Sequence, residues 1–240
     1  MKLNSLVFPS FLLFLVCLVA AAMGLATHYA SSALAGESAK SPTNEVVVLV
    51  HGLGRTPVSL VTLEWTLERE GYEVVNWGYS SFCCDLDELG AQLSAQVAEV
   101  SAAGPEQIHF VGHSMGNILV RWMLHNNPPD QPGRVVMLAP PNQGSAVADR
   151  YADWFGWILD PLPDLVTGEE GAAQQLPPIE DRELGIIAGR FDGKVEIEET
   201  YQATQDDHRV VDAAHTLIMN RPDVHRLVVA FLATGMFPEE

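Results

Sequence analysis

From Asn44 to the C-terminus, short β-branched runs alternate with longer stretches whose apolar residues recur every three or four positions. That is the pattern of strands feeding helices. The strand-like runs are Glu45–Val50, Glu73–Tyr79, Gln107–Val111, Arg134–Ala139, Leu184–Ala188 and Asp207–Val211. Between the first two, Thr56 and Pro57 precede Leu60, Leu63 and Leu67, which predicts a helix capped by Thr56, begun by Pro57 and stopped at Gly71. Asp85 to Ala103 places Leu86, Leu89, Leu93, Val97 and Val100 on one stripe, and two more helices are expected over Asn117–Leu124 and from near Pro222. Strands alternating with helices imply a mostly parallel sheet of roughly six strands with helices on both faces. The fourth and fifth strands are about 45 residues apart, far more than a simple crossover requires. Residues 146–182 therefore read as an insertion, placed like a cap.

The first 40 residues follow a different pattern. After Lys2 no charged side chain appears until Glu37, and residues 6–26 are apolar apart from Pro9, Ser10 and Gly24. As a helix this segment would reach roughly 31 Å, enough to span a bilayer. The rival reading is a cleaved signal peptide with Phe11–Val19 as its apolar core and Ala20 and Ala22 at the cleavage site. Under either reading residues 44–240 form an exported domain on the periplasmic or extracellular side, anchored to the membrane if residues 6–26 stay attached. Oligomeric state is not legible.

The formal charge is −18, and removing residues 1–40 takes away two lysines and one glutamate, leaving the domain one charge more negative. Such a surface repels nucleic acid and anionic membranes. Cys17 lies in the leader, so the domain holds only the adjacent pair Cys83 and Cys84. Neighbouring cysteines strain both the peptide and the disulfide when bridged, so two semi-buried thiols are expected, with a vicinal disulfide as the lesser alternative.

The chemistry centres on Gly112-His113-Ser114-Met115-Gly116, directly after the third strand and before an apolar helix. Strand, sharp turn and helix are the context in which a G-x-S-x-G serine becomes a nucleophile. Its hydroxyl needs an imidazole to take the proton and a carboxylate to orient that imidazole. In an open parallel sheet all three must hang from the carboxyl ends of strands. His215, just past the sixth strand, has that position. His208 precedes or begins that strand, and His225, within the last helix, reads as a surface residue. For the acid, Asp192 lies in the loop after the fifth strand, beside Gly193, with Asp212 and Asp206 behind it. An oxyanion hole needs two backbone N–H groups; Met115 follows the nucleophile, and Leu53 lies in the glycine-flanked loop His51-Gly52-Leu53-Gly54 after the first strand. Trp154, Phe155 and Trp157 either pack a crossover helix onto the sheet or wall an apolar acyl pocket from the cap. No H-E-x-x-H, Cys/His cluster or G-x-G-x-x-G after a strand occurs, so neither a metal nor an organic cofactor is expected.

His51-Gly52-Leu53-Gly54-Arg55, Gly112-His113-Ser114-Met115-Gly116, Leu138-Ala139-Pro140-Pro141-Asn142-Gln143-Gly144-Ser145, Asp192-Gly193-Lys194-Val195 and Ala214-His215-Thr216 run in order from about Asn44 onward. Together they resemble the small bacterial lipase and esterase branch of the α/β-hydrolases, the branch similar to GPI inositol-deacylases. The resemblance implies an α/β-hydrolase fold and cleavage of a small-molecule or lipid ester, with Ser114 as nucleophile, His215 as base, Asp192 as acid, and Leu53 and Met115 as oxyanion donors. An acyltransferase or thioesterase would use the same three side chains. A noncatalytic binding role is disfavoured by the intact set. The Cys83–Cys84 pair is not a feature of that resemblance.

Overall fold

The computed structural model describes residues 43–145 and 172–239, which fall within one compact unit running from Lys40 to Glu240. The leader, including residues 6–26, lies outside the described residues, as do Trp154, Phe155 and Trp157 of the insertion. Among the described residues no helix is long and apolar enough to cross a membrane.

The chain runs β1 (Glu45–Val50), a 3-10 turn (Pro57–Leu60), α1 (Val61–Arg69), β2 (Glu73–Trp77), α2 (Leu86–Ala102), β3 (Gln107–His113), α3 (Met115–Asn126) and β4 (Pro132–Leu138). It continues with α4 (Ala172–Gln175), β5 (Leu184–Gly189), a 3-10 turn (Ile197–Thr200), β6 (Asp207–Val211), a 3-10 turn (Ile218–Asn220) and α5 (Pro222–Thr234). The strands form one sheet in the order β2-β1-β3-β4-β5-β6, and every pairing is parallel. All six expected strands are present, with shifts of one or two residues at their ends.

Both faces of this sheet are covered, and the two-residue period of a strand sorts its side chains between them. Val46, Val48 and Val50 pack with Leu89, Leu93 and Val97 of α2 and with Ile118, Leu119 and Met123 of α3. Val47 and Leu49 face the other way, onto Leu63 and Leu67 of α1 and Val224, Val228 and Phe231 of α5. The strand order reverses between β1 and β3, and the carboxyl ends of strands at such a reversal are where ligands of open α/β sheets sit.

Four local expectations are corrected. The helix expected from Thr56 is divided into a 3-10 turn and α1, and Thr56 makes no side-chain cap; its carbonyl instead accepts the Ser59 N–H and hydroxyl. The predicted stop at Gly71 holds: at φ 98° it lets Gly71 N–H reach Glu68 O and Tyr72 N–H reach Leu67 O, the paired closure that favours glycine after a helix. Strand β2 ends at Trp77, because Tyr79 leaves the ladder to stack on Trp77 and on His51. Cys83 and Cys84, expected as thiols, form a vicinal disulfide. His225 is buried rather than on the surface, with Nε2 donating to the Met219 carbonyl at 2.8 Å and Nδ1 3.1 Å from the Thr66 hydroxyl; α5 turns that face onto α1.

Candidate active site

Ser114 is the single residue between the end of β3 and the start of α3, at φ 53° and ψ −127°. A non-glycine residue there stores on the order of 1–3 kcal/mol of backbone strain, which surrounding contacts must hold. The flanking glycines are required by contact. A Cβ on Gly112 would lie 2.3 Å from Asn117 Oδ1, and one on Gly116 would lie 2.3 Å from the Val50 carbonyl oxygen. The turn is then pinned: Ser114 N–H donates to Leu138 O at 2.9 Å, and Asn117 Nδ2 donates to Ser114 O (3.0 Å) and Leu138 O (3.1 Å).

The parallel pairing of β5 and β6 continues past the strand ends, with Arg190 N–H on Val211 O (2.8 Å) and Phe191 N–H on Ala213 O (3.1 Å). Those bonds carry Asp192 and His215 to facing positions. Asp192 Oδ2 lies 2.7 Å from His215 Nδ1, and His215 Nε2 lies 3.0 Å from Ser114 Oγ. Asp192 Oδ1 accepts the N–H groups of Lys194 (2.8 Å) and Val195 (3.0 Å). A carboxylate only accepts, so the neutral imidazole carries its proton on Nδ1 and turns the Nε2 lone pair to the serine hydroxyl. His215 and Asp192 are both buried, at 5% and 8% exposure, so this relay is shielded from water.

The structure thus brings Ser114, Asp192 and His215 together. The alternatives sit elsewhere: Asp206 Oδ2 accepts Leu184 N–H, Asp212 pairs with Arg190 at the surface, and His208 bonds the Thr200 hydroxyl and stacks on Tyr201. Met115 is the first residue of α3, so its N–H has no acceptor within the helix. The Leu53 N–H belongs to the loop whose Gly52 Cα is so close to Ser114 that an added Cβ would lie 2.9 Å from Ser114 Cβ. Among the described residues neither N–H is taken by another group.

A model of the alpha/beta hydrolase family matches residues 47–235. The chain belongs to that family. Solved structures with the same fold include the mature lipase BlEst2 of Bacillus licheniformis, 20% identical over 82% of this chain and 92% of that one, with a TM-score of 0.63. The monoacylglycerol lipase of Paleococcus ferrophilus is 19% identical, over 81% and 96% of the two chains, with a TM-score of 0.55. A thermophilic esterase of Thermogutta terrifontis is 13% identical, over 81% and 92%, at 0.59. At these identities the likeness concerns the hydrolase fold.

Around the three residues this member of the family carries polar side chains that sequence reading passed over. His113 is buried beside them, with Nε2 donating to the His215 carbonyl at 3.0 Å. Burial and the neighbouring His215 push its pKa well below the ordinary histidine value, so it stays neutral. His51 Nδ1 lies 3.1 Å from the Gly52 carbonyl, and burial lowers its pKa too. The signal for His113 and Asn117 was present as polar residues inside runs otherwise apolar on both faces. Tyr79 and Ser81 also reach the site; Tyr79 reads in sequence as the end of the second strand, and Ser81 lies in a loop with no such pattern.

Proposed function

We propose that this α/β-hydrolase cleaves carboxylic esters through an acyl-enzyme. The observation that carries the reading is the continuous chain from Asp192 Oδ2 through His215 to Ser114 Oγ, at 2.7 and 3.0 Å. In the first half-reaction Ser114 Oγ attacks the ester carbonyl carbon as its proton passes to His215 Nε2. The carbonyl oxygen becomes an oxyanion facing the N–H groups of Met115 and Leu53, each such donor being worth about 10² to 10³ in rate. The intermediate collapses, the C–O bond to the alcohol breaks, and the alcohol leaves with the proton from Nε2. Water then repeats the sequence on the acyl-serine, releasing the acid and restoring the hydroxyl. Asp192 keeps its negative charge and stabilises the imidazolium in each half.

The lipase and esterase names of the fold relatives support an ester as substrate. Export is part of the same proposal: the apolar residues 6–26 support it, and a disulfide at Cys83–Cys84 fits an oxidising compartment better than the cytosol. The test is labelling of the full-length protein by a fluorophosphonate together with turnover of p-nitrophenyl esters of rising chain length. Ser114→Ala should abolish both while far-UV circular dichroism stays unchanged. Labelling that survives the substitution would refute the assignment.

A further inference from the structure

The oxyanion turn His51-Gly52-Leu53-Gly54 is short, and its useful group is a single peptide N–H. The carbonyl of that peptide, Gly52 O, accepts from Arg55 N–H at 3.2 Å and lies 3.1 Å from His51 Nδ1. A trans peptide points its C=O and N–H in opposite directions, and the described backbone contains no cis bond. Fixing the carbonyl therefore aims the Leu53 N–H away from it. That fixes the plane of one peptide, but the turn as a whole could still shift against Ser114.

Two side chains from the loop after β2 act on either side of that peptide. Tyr79 Oη donates to the carbonyl of His51 at 2.6 Å, and the N–H of Gly54 donates to Ser81 Oγ at 2.9 Å. Both are held in place themselves. The Tyr79 ring is sandwiched between His51 and Trp77, with centroids 4.2 and 4.4 Å away and planes within 14° of parallel. Ser81 is 3% exposed, and the next residues are Phe82, whose ring approaches the Gly54 Cα, and the disulfide of Cys83 and Cys84. Cys84 packs against the same core cluster as Leu53.

We propose that Tyr79 and Ser81 are positioning residues that clamp the oxyanion turn, setting the distance between the Leu53 N–H and the developing charge. The proposal rests on the reading of Ser114 as nucleophile and Leu53 as oxyanion donor. Both clamp residues spend their hydroxyl on the backbone of the turn. Their hydrogen bonds act in the transition state only through the turn, so their loss lowers kcat and leaves ground-state binding nearly intact. Misplacement by about 1 Å costs on the order of 10²-fold in rate, below the full loss of a donor.

The experiment uses the full-length protein with a p-nitrophenyl ester, and an alkylboronic acid as a probe of the tetrahedral adduct. In Ser81→Ala, kcat should fall by about 10- to 100-fold with KM nearly unchanged, and boronate affinity should fall by a similar factor. Ser81→Thr, which keeps the hydroxyl, should restore most of kcat. Tyr79→Phe removes one O–H and leaves the stacked ring, so it should shift kcat and boronate affinity the same way; it decides the matter if Ser81→Ala fails to fold by circular dichroism. Ser80→Ala, at an exposed neighbour, should behave as wild type. Folded variants with wild-type kcat and boronate affinity overturn the clamp, as does a kcat loss in Ser81→Ala that threonine does not restore. If the wild-type Ser114 is not labelled by a fluorophosphonate, the catalytic reading falls and the clamp with it; intact labelling with unchanged variants sinks the clamp alone.

Discussion

The ring of His113 and the main chain of His215 are joined by one buried hydrogen bond, Nε2 to carbonyl oxygen, at 3.0 Å. His215 is therefore held at two ends, its ring by Asp192 and its backbone by the residue preceding Ser114. His113→Phe keeps an aromatic of similar size but leaves the His215 carbonyl without its donor. An unmet buried acceptor costs about 1–3 kcal/mol, and the freed loop should lower kcat by about tenfold or more. Urea midpoints and kcat on the same preparation check both effects. A variant as stable and as fast as wild type would show that the bond positions nothing.

Asp192→Asn should be worse for rate than for stability. Its Oδ1 can keep the Lys194 and Val195 amides, so the loop survives. The atom then facing His215 Nδ1 is an NH₂, which donates, so the imidazole must place its proton on Nε2 and offer no lone pair to Ser114. A tautomer error of that kind typically costs about 10⁴ in kcat. Steady-state turnover with a check of folding by circular dichroism reads it. A loss of only tenfold or less would mean that Asp192 is not the orienting acid.

The six strands, the parallel topology and the three converging side chains were legible because each leaves a periodic or positional trace. Alternation sends Val46 and Val47 to opposite faces, and chain order places Asp192 and His215 after the last two strands. What the sequence did not yield depends on close three-dimensional approach. His225 was misread because its neighbours look like an ordinary helix face, while the packing of α5 on α1 encloses it. The disulfide at Cys83–Cys84 forms in an irregular loop, where no pattern constrains the two side chains. Tyr79 and Ser81 act on a turn that precedes them by about 28 residues, and spacing alone offered no reason to pair them.

The glycines beside Ser114 make a steric prediction. A methyl on Gly116 would meet the Val50 and His51 carbonyl oxygens at 2.3 and 2.7 Å, both rigid backbone. Gly116→Ala must therefore push α3 off β1 and should destabilise by more than about 3 kcal/mol, in the range reserved for severe core damage. Gly52→Ala meets Ser114 Cβ at 2.9 Å and the His113 carbonyl at 3.0 Å, contacts that a small displacement of the turn can relieve. It should fold but lose fluorophosphonate reactivity by about 10²-fold or more. Thermal melts and labelling rates separate the two, and equal melting temperatures for the two variants would contradict the steric account.

Acid should weaken the fold through its buried histidines. His109 is fully buried, its Nδ1 accepts the Arg134 N–H at 2.9 Å, and burial, aided by the Arg134 charge, lowers its pKa to about 4. A proton on Nδ1 would oppose that N–H, so the folded chain resists charging. The unfolded chain does not, and takes up the proton as pH falls through about 6.5. Stability is thus complete above that value and declines as pH drops toward 4, by about 2 kcal/mol at pH 5 for this one group. The pKa values of His51, His113, His208 and His225 are also lowered, burial being the largest cause each time, so their contributions have the same sign. His109→Asn offers an oxygen near the position of Nδ1 that cannot be protonated. Unfolding free energies from urea titrations at pH 7 and pH 5 should converge in that variant by about 2 kcal/mol relative to wild type; an unchanged gap would mean that His109 is charged in the native state.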